Sequence, residues 1–527
     1  MTACDRFAAP KRFPEGEIVG QSATLGHVLR EQRTFEVPTD KWETVKTAII
    51  GGGVAGLSAA WKLKRSGEQN FVLLELEKEP GGTSISGKSE PVNHPWGAHY
   101  LPVPFRENKE LIELLQEMSL TEGFTPEGDV VIKEQYLCRE PEERVFYKGR
   151  WYHGLYLHVG ESDEDKRQFA AFQQRIDEWV NWRDAAGRRA FVVPSSLGSD
   201  DAAVKDLDKI TFGEWLRQQG FTSERLLWYC DYACRDDYGL NLDQTSAWAG
   251  LFYFCSRVRK SGEESQPFIT FPEGNGRFVD HLKTNVAENI KRSHMAVSVI
   301  PTAKGVDVIC LADGELKGYR CENVIYAAPI FTAPYVIRGF NEAPPFNART
   351  FHSNAWFVAN LHLKDRPKPR FSKDFPLAWD NVLYESPSLG YVNATHQKGI
   401  DYGATVWTYY YPMCHEPDGR TKLFNYEWRE LADVCLTDIA RAHSEIYDLC
   451  DRIDIMRWGH AMISPTPGFI WGGEREKALQ PYRNIHFAHT DLSGIALFEE
   501  AFYHGLRAAS AVKNVKSPTI LSDDRTF

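Results

Sequence analysis

Val45-Lys46-Thr47-Ala48-Ile49-Ile50-Gly51-Gly52-Gly53-Val54-Ala55-Gly56 reads as a short apolar strand, a glycine turn and the start of a helix. The helix continues through Leu57, Ala60, Trp61 and Lys64. Gly51 allows the tight turn, Gly53 lets a pyrophosphate approach the backbone, and Gly56 lets helix and strand pack closely. The helix N-terminus, with Val54 and Ala55, offers amide groups and a positive dipole end to phosphates. A second strand, Phe71-Val72-Leu73-Leu74, runs into Glu75, 24 residues after Gly51. There a carboxylate accepts hydrogen bonds from both hydroxyls of an adenosine ribose and repels a 2′-phosphate, which disfavours NADP. Strand, turn, helix, strand and acid together predict a dinucleotide site on a Rossmann-like sheet.

The rest of the composition narrows the class. The chain has 527 residues, 43% hydrophobic and 25% charged, with 61 basic against 72 acidic residues and a net charge of −11. That excludes wholesale disorder and a collagen-like fibre. An acidic chain without a long Lys/Arg cluster is a poor nucleic-acid binder. No uncharged run reaches the 18 or so residues of a spanning helix, so no transmembrane segment is expected. The cysteines are scattered and read as buried thiols; Cys230 and Cys234 can share a helix face, but no second close pair completes a metal site. No metal is expected. Met1-Thr2-Ala3-Cys4 is like the small-residue box before a lipidated cysteine but lacks the rest of a signal. The default compartment is therefore the cytoplasm, with a periplasmic or lipid-anchored protein as the alternative if an export signal has been trimmed.

After Glu75 the chain runs Glu77-Lys78-Glu79-Pro80-Gly81-Gly82-Thr83. This glycine pair resembles the second FAD-contacting loop of the flavin amine oxidase superfamily, which includes monoamine and polyamine oxidases, protoporphyrinogen oxidase and the carotenoid desaturases. The family usually has Arg where Thr83 stands. Phe271-Pro272-Glu273-Gly274-Asn275-Gly276 is similar to the family's re-entry into the FAD domain, followed by Ala296-Val297-Ser298-Val299-Ile300 and Val324-Ile325-Tyr326-Ala327-Ala328-Pro329. Asn484-Ile485-His486-Phe487-Ala488-His489-Thr490-Asp491 resembles its last strand. The resemblance implies FAD, held by Gly82, Thr83 and Ala328, with adenine on the Val297 backbone and the ribityl chain on Asp491. His489 and Glu500 stand where the family has glycines, Glu500 beside Phe498 at the start of the final helix nearest the flavin ring.

These returns imply an α/β FAD-binding domain built from 45–105, 268–340 and 455–515. An interleaved α+β substrate domain of mixed sheet and helices takes 106–267 and 341–454. Residues 1–44 read as an N-terminal arm and 516–527 as a tail. Pro95-Trp96-Gly97-Ala98-His99-Tyr100 lies where the family chain passes the flavin, which adds Gly97, Ala98 and His99 to the cofactor contacts; His99 is the loop's candidate titrating group near neutral pH. Trp407-Thr408-Tyr409-Tyr410-Tyr411 alternates on a strand, so Trp407, Tyr409 and Tyr411 share one face and Tyr410 takes the other. Trp407 and Tyr409, with Trp458 of Arg457-Trp458-Gly459-His460, are the candidate substrate wall. Arg235-Asp236-Asp237-Tyr238-Gly239 either sits at the cleft mouth or, as charged residues before a glycine more often do, forms a solvated turn.

Two departures bear on chemistry. The lysine that many amine oxidases carry on the strand after Ala-Ala-Pro is missing; Lys364 comes only at its far end. No cysteine follows Cys450, so FAD is expected to be noncovalent. The expected function is hydride transfer from an amine or activated C–H substrate to FAD. A desaturase or porphyrinogen-type oxidase of a flat hydrophobic molecule, and a flavoprotein with structural FAD serving a partner enzyme, are the alternatives. Partners expected are a small-molecule substrate and an electron acceptor, with oxygen a candidate and a homodimer left open.

Overall fold

The computed structural model describes residues 13–20, 23–29, 35–263, 265–369, 371 and 374–513. The Met1–Cys4 segment and the expected tail 516–527 lie outside them. Two large sheets organise the chain. The first runs in the order Ile290–Lys291, Phe71–Leu74, Trp42–Ile50, Glu315–Tyr326, Val306–Ala312, His294–Pro301, with Ile485–Phe487 alongside the end of Glu315–Tyr326. Its centre is parallel: Ile49 lies between Leu73 and Ile325. Ala48, Ile49, Leu73, Val324 and Ile325 are fully buried, as expected of parallel strands covered on both faces.

Helices Val54–Arg65 and Phe498–Lys513 pack together on this sheet. Their close approach depends on Gly505, where a Cβ would sit 2.2 Å from the Ala55 carbonyl oxygen. The second sheet has eight strands in the order Glu15–Val19, Cys450–Ile463, Ser353–Leu363, Thr405–Pro412, Tyr391–Asn393, Asp380–Leu383, Glu143–Tyr147, Arg150–His153. Helices Asp163–Asn181, Glu224–Tyr238 and Ala247–Cys255 form a mostly helical block between its strands in sequence. Among the described residues no helix is long and apolar enough to cross a membrane.

Two sequence expectations change here. The arm is not merely a leader: Glu15–Val19 is an edge strand, parallel to Cys450–Ile463, and Gly16 lies so close to Ile453 that a Cβ would overlap its carbonyl. Cys450–Ile463 crosses the expected boundary at residue 455, yet all of it belongs to the eight-stranded sheet. Its long antiparallel register with Ser353–Leu363 carries it past that boundary.

Candidate functional site

The glycine turn closes the carboxyl end of the parallel strands, the usual place for a ligand in such a sheet. Gly51 has φ 101°, and a Cβ there would lie 2.9 Å from the Ala327 carbonyl oxygen, with the Ala328 amide equally near. At Gly56 a Cβ would fall 1.9 Å from the Gly51 oxygen, so the helix sits directly on its own turn. Gly53 differs: the nearest atom to a Cβ is the Gly82 Cα, 3.9 Å away. It has room on its Cβ side and bridges to the second glycine loop through Gly81, where Gly81 and Gly82 both take positive φ. Gly53 caps the helix with no side-chain hydrogen bond, leaving the first-turn amides of Val54 and Ala55 without a capping acceptor.

Glu75 stands beside this turn and is 9% exposed. Its carboxylate accepts the Gly52 N–H at 2.6 Å and the Glu77 N–H at 2.8 Å. Burial raises its pKa, and these N–H groups partly oppose the shift. Thr83 is exposed, but its carbonyl accepts the Ala98 N–H at 3.1 Å, and a Cβ on Gly97 would be 2.3 Å from the same oxygen. Gly97 thus lets two loops touch. Val297 is the unopposed residue of a bulge between the Ala296–Cys310 and Ser298–Ile309 pairs, so its backbone is released from the ladder. Asp491, nearly fully buried, accepts the Ile330 N–H at 2.9 Å and faces His489 Nδ1 at 3.0 Å. His489, where the family has glycine, caps the turn at 490–492. Phe498 packs on Phe278 and Phe502, inside the core. The adjacent Glu500 is buried and joins the final helix to Ser195 and Ser493.

The loop carrying His99 is held from the eight-stranded sheet. The Trp458 indole donates to the Trp96 carbonyl at 2.7 Å, Asn360 donates to the Pro95 carbonyl at 3.1 Å, and the Tyr410 hydroxyl donates to the Gly97 carbonyl at 2.8 Å. His99 stacks on Tyr410 at 4.9 Å and touches Trp379 at 5.3 Å. These contacts correct the expected wall. Trp407 stacks on Tyr391 on the other face, and the Tyr409 hydroxyl donates to Asp438 there, so neither reaches the His99 loop. Alternation was right, but the face looking at the cleft is that of Tyr410. Trp458 holds the Trp96 carbonyl, on the same side as the His99 loop. His99 is corrected too: burial lowers its pKa to about 4, so it stays neutral through the physiological range. Lys364 is exposed beyond its strand.

Residues 49–118 match the family model of an NAD(P)-binding Rossmann-like domain. A solved putrescine oxidase bound to putrescine superposes with a TM-score of 0.65 at 15% identity, covering 90% of this chain and 100% of that one. Cyclohexylamine oxidase from Brevibacterium oxydans IH-35A superposes with a TM-score of 0.61 at 14% identity, covering 89% and 99%. The chain has the flavin amine oxidase fold. A curated relative, the oxidoreductase PigB of Serratia sp. (strain ATCC 39006), is 21% identical over 296 residues, 52% of this chain. The match spans 42% of that protein, so the chain covers less than half of its length.

The glycine turn meets Ala327 and Ala328 at Gly51 and the second loop at Gly53, and the second loop meets Gly97 and Ala98 through the Thr83 carbonyl. The sequence reading missed what lies beyond it. The Arg235-Asp236-Asp237 run is no solvated turn: it ends helix Glu224–Tyr238, with Arg235 and Asp237 buried and Gly239 as the left-handed cap. Asp237 meets Arg257 at 3.0 Å, and both are buried. Asp380 lies directly across from Glu143 on a parallel strand pair, and Tyr232 donates to Asp380 at 3.3 Å. His99, Tyr100, Tyr253, Asp236, Asp380 and Glu143 are each half-buried. Burial drives the carboxyl pKa values up, to about 8 for Glu143 and about 7 for Glu499. The sequence marked only the run holding Asp236; no pattern joined it to Asp380 and Glu143, which come from separate elements. Among the described residues no three His, Cys, Asp or Glu side chains could hold a metal ion together.

Proposed function

We propose that this chain is a flavin-dependent oxidoreductase that binds FAD noncovalently and oxidises a carbon beside an amine nitrogen. The observation that carries the reading is Gly53, where a Cβ would meet nothing nearer than the Gly82 Cα at 3.9 Å, beside helix-start amides that no side chain caps. This shape fits FAD. The amides at the Val54–Arg65 helix start would hold the pyrophosphate, Glu75 the ribose hydroxyls, the released Val297 backbone the adenine, and Asp491 the ribityl chain. FAD when bound supplies the acceptor for two electrons. The chain's own part is to position and enclose the substrate. Tyr410 and Trp379 wall the chamber against His99, and neutral His99 offers a ring nitrogen without adding positive charge.

The names of the superposing proteins, a putrescine and a cyclohexylamine oxidase, support an amine substrate. Half-buried Asp380, next to the Trp379 that touches His99, counts against the flat hydrophobic alternative, because a wholly apolar ligand there would further desolvate a carboxyl without pairing it. The purified protein is expected to be yellow, to release its flavin on acid precipitation, and to bleach anaerobically with an amine. A colourless protein that takes up no FAD refutes the reading; flavin left in the acid pellet refutes noncovalent binding; silence with every amine refutes the substrate class.

Two tyrosines test the corrected wall. Tyr410→Phe removes the bond to Gly97 and is expected to perturb the flavin absorbance and lower kcat/KM about tenfold, a loss of about 1.4 kcal/mol. Tyr409→Phe is expected to cost about 1–3 kcal/mol of stability, through the lost bond to Asp438, with the flavin spectrum unchanged. Steady-state kinetics and thermal melts of the two holoproteins separate the faces.

A further inference from the structure

We propose that a small hollow at the start of the final helix is the proton exit of the site, with Glu499 as the group that hands the proton to water there. The inference rests on the amine reading above and adds a route that reading leaves open. Oxidising the carbon beside an ammonium nitrogen breaks one C–H and one N–H bond as the C=N bond forms. The C–H hydrogen leaves with its electron pair, as a hydride, to FAD. The N–H hydrogen leaves as a proton, the product is an iminium, and the proton has to cross the protein to reach solvent.

The hollow reaches from the surface to the neighbourhood of His99. Its rim is half-buried at Asn108, Val193 and Gln266, whereas Ser256, Arg257 and Glu499 in its wall are buried. Strand Tyr100–Pro102 joins it to the candidate site, since Pro102 lines the hollow and Tyr100 follows His99. Arg257 ties the same two places together, donating to the Tyr100 hydroxyl at 3.4 Å and to Asp237 at 3.0 and 3.2 Å.

Two buried acids open the final helix, and they differ. Glu500 is saturated: it accepts the Ser195 N–H at 2.5 Å and the hydroxyls of Ser195 and Ser493. The Glu499 carboxyl takes a hydrogen bond from no other described residue, and Ser256 Oγ in the same wall is buried without a partner. Groups left so are costly unless water or a proton meets them. The hollow measures about 20 Å³, above the roughly 10–15 Å³ that one water needs, and Ser256 Oγ, the Glu499 carboxyl and the Arg257 guanidinium are its partners. Water held there carries a hydrogen-bonded path from Glu499 to the rim. Burial raises the Glu499 carboxyl to about 7; Arg257 opposes that rise, and Glu500 and Asp237 add to it. Arg189 and Arg259 stand over the Phe105 ring in the same wall, at 5.1 and 5.0 Å. A carboxyl that ionises near neutrality both takes and returns a proton at physiological pH.

The test is anaerobic stopped-flow mixing of the holoprotein with hexylamine, benzylamine and spermidine in weak buffer, following flavin absorbance and an indicator dye together. In the parent the proton is expected to appear with bleaching, and the bleaching rate to rise with pH through neutrality. In Glu499→Gln bleaching is expected to be about tenfold slower and that pH step to be lost, which a merely structural role would not remove. In Ser256→Ala proton release is expected to lag bleaching about threefold, which keeps the proposal testable if the acid variant fails to fold. A further readout needs no flavin. The denaturant midpoint of the apoprotein is expected to fall less between pH 5 and pH 8 in Glu499→Gln than in the parent, because the variant has no carboxyl at 499 to ionise in place.

Proton release in step with bleaching in Ser256→Ala, an unchanged pH step in Glu499→Gln, or equal midpoint shifts overturns the exit and leaves amine oxidation standing. Flavin that no amine bleaches overturns the oxidation and the exit with it.

Discussion

Gly53→Ala is expected to fold as the parent does and to bind FAD about 100-fold more weakly, the equivalent of roughly 3 kcal/mol. The backbone at Gly53, φ −70° and ψ −177°, is one that any residue adopts, and no protein atom lies within 3.9 Å of the added Cβ. The methyl group therefore strains nothing in the chain; it fills the space through which a pyrophosphate reaches the helix amides. Gly56→Ala is the contrast. Its Cβ would fall 1.9 Å from the Gly51 oxygen, so the helix must lift off the turn at a cost of about 1–3 kcal/mol or more. Flavin titration and apoprotein melting curves distinguish the two. Equal FAD affinity of Gly53→Ala and the parent would remove the phosphate role of the cleft.

The second large effect concerns buried charge. Carboxyls whose pKa rises on folding bind more protons in the native state than in the unfolded chain. Glu499 at about 7, Glu143 at about 8 and Asp208 at about 6 all belong to this class, and burial is the first cause for each. Stability of the substrate-free protein is therefore expected to fall as pH rises from about 5 to 8, where these groups ionise in place. Arg257→Met removes the partner of buried Asp237 and is expected to cost about 3–5 kcal/mol at pH 8. Part of that loss returns at pH 6, where protonation replaces the missing guanidinium. Denaturant titrations of both proteins at the two pH values measure this, and a variant equally unstable at pH 6 and pH 8 would exclude the electrostatic cause.

The glycine-turn half of the candidate site was legible because its backbone requirements are local. A turn that needs Gly51 at positive φ, a helix that starts at Val54 and an acid after the next strand leave marks a few residues apart. The wall of the chamber was half legible. Alternation correctly placed Tyr410 opposite Trp407 and Tyr409, but aromatic density pointed to the wrong face. Helix Trp428–Ala440 covers Tyr409 through Asp438, and the loop from 95 to 99 covers Tyr410. Which cover goes to which face depends on partners more than 300 residues apart in one case.

The sequence by itself determined the Rossmann-like turn, the acid at Glu75, the return of distant segments to one sheet and the absence of a lysine near the start of Ser353–Leu363. Only the tertiary structure decided that Glu15–Val19 joins the second sheet, that His99 is neutral, and that Asp380 lies beside Glu143. The physical reason is range. Backbone geometry at a glycine turn is set by neighbouring residues, whereas the burial that moves a pKa, and the register that sets Asp380 beside Glu143, arise when remote strands pair.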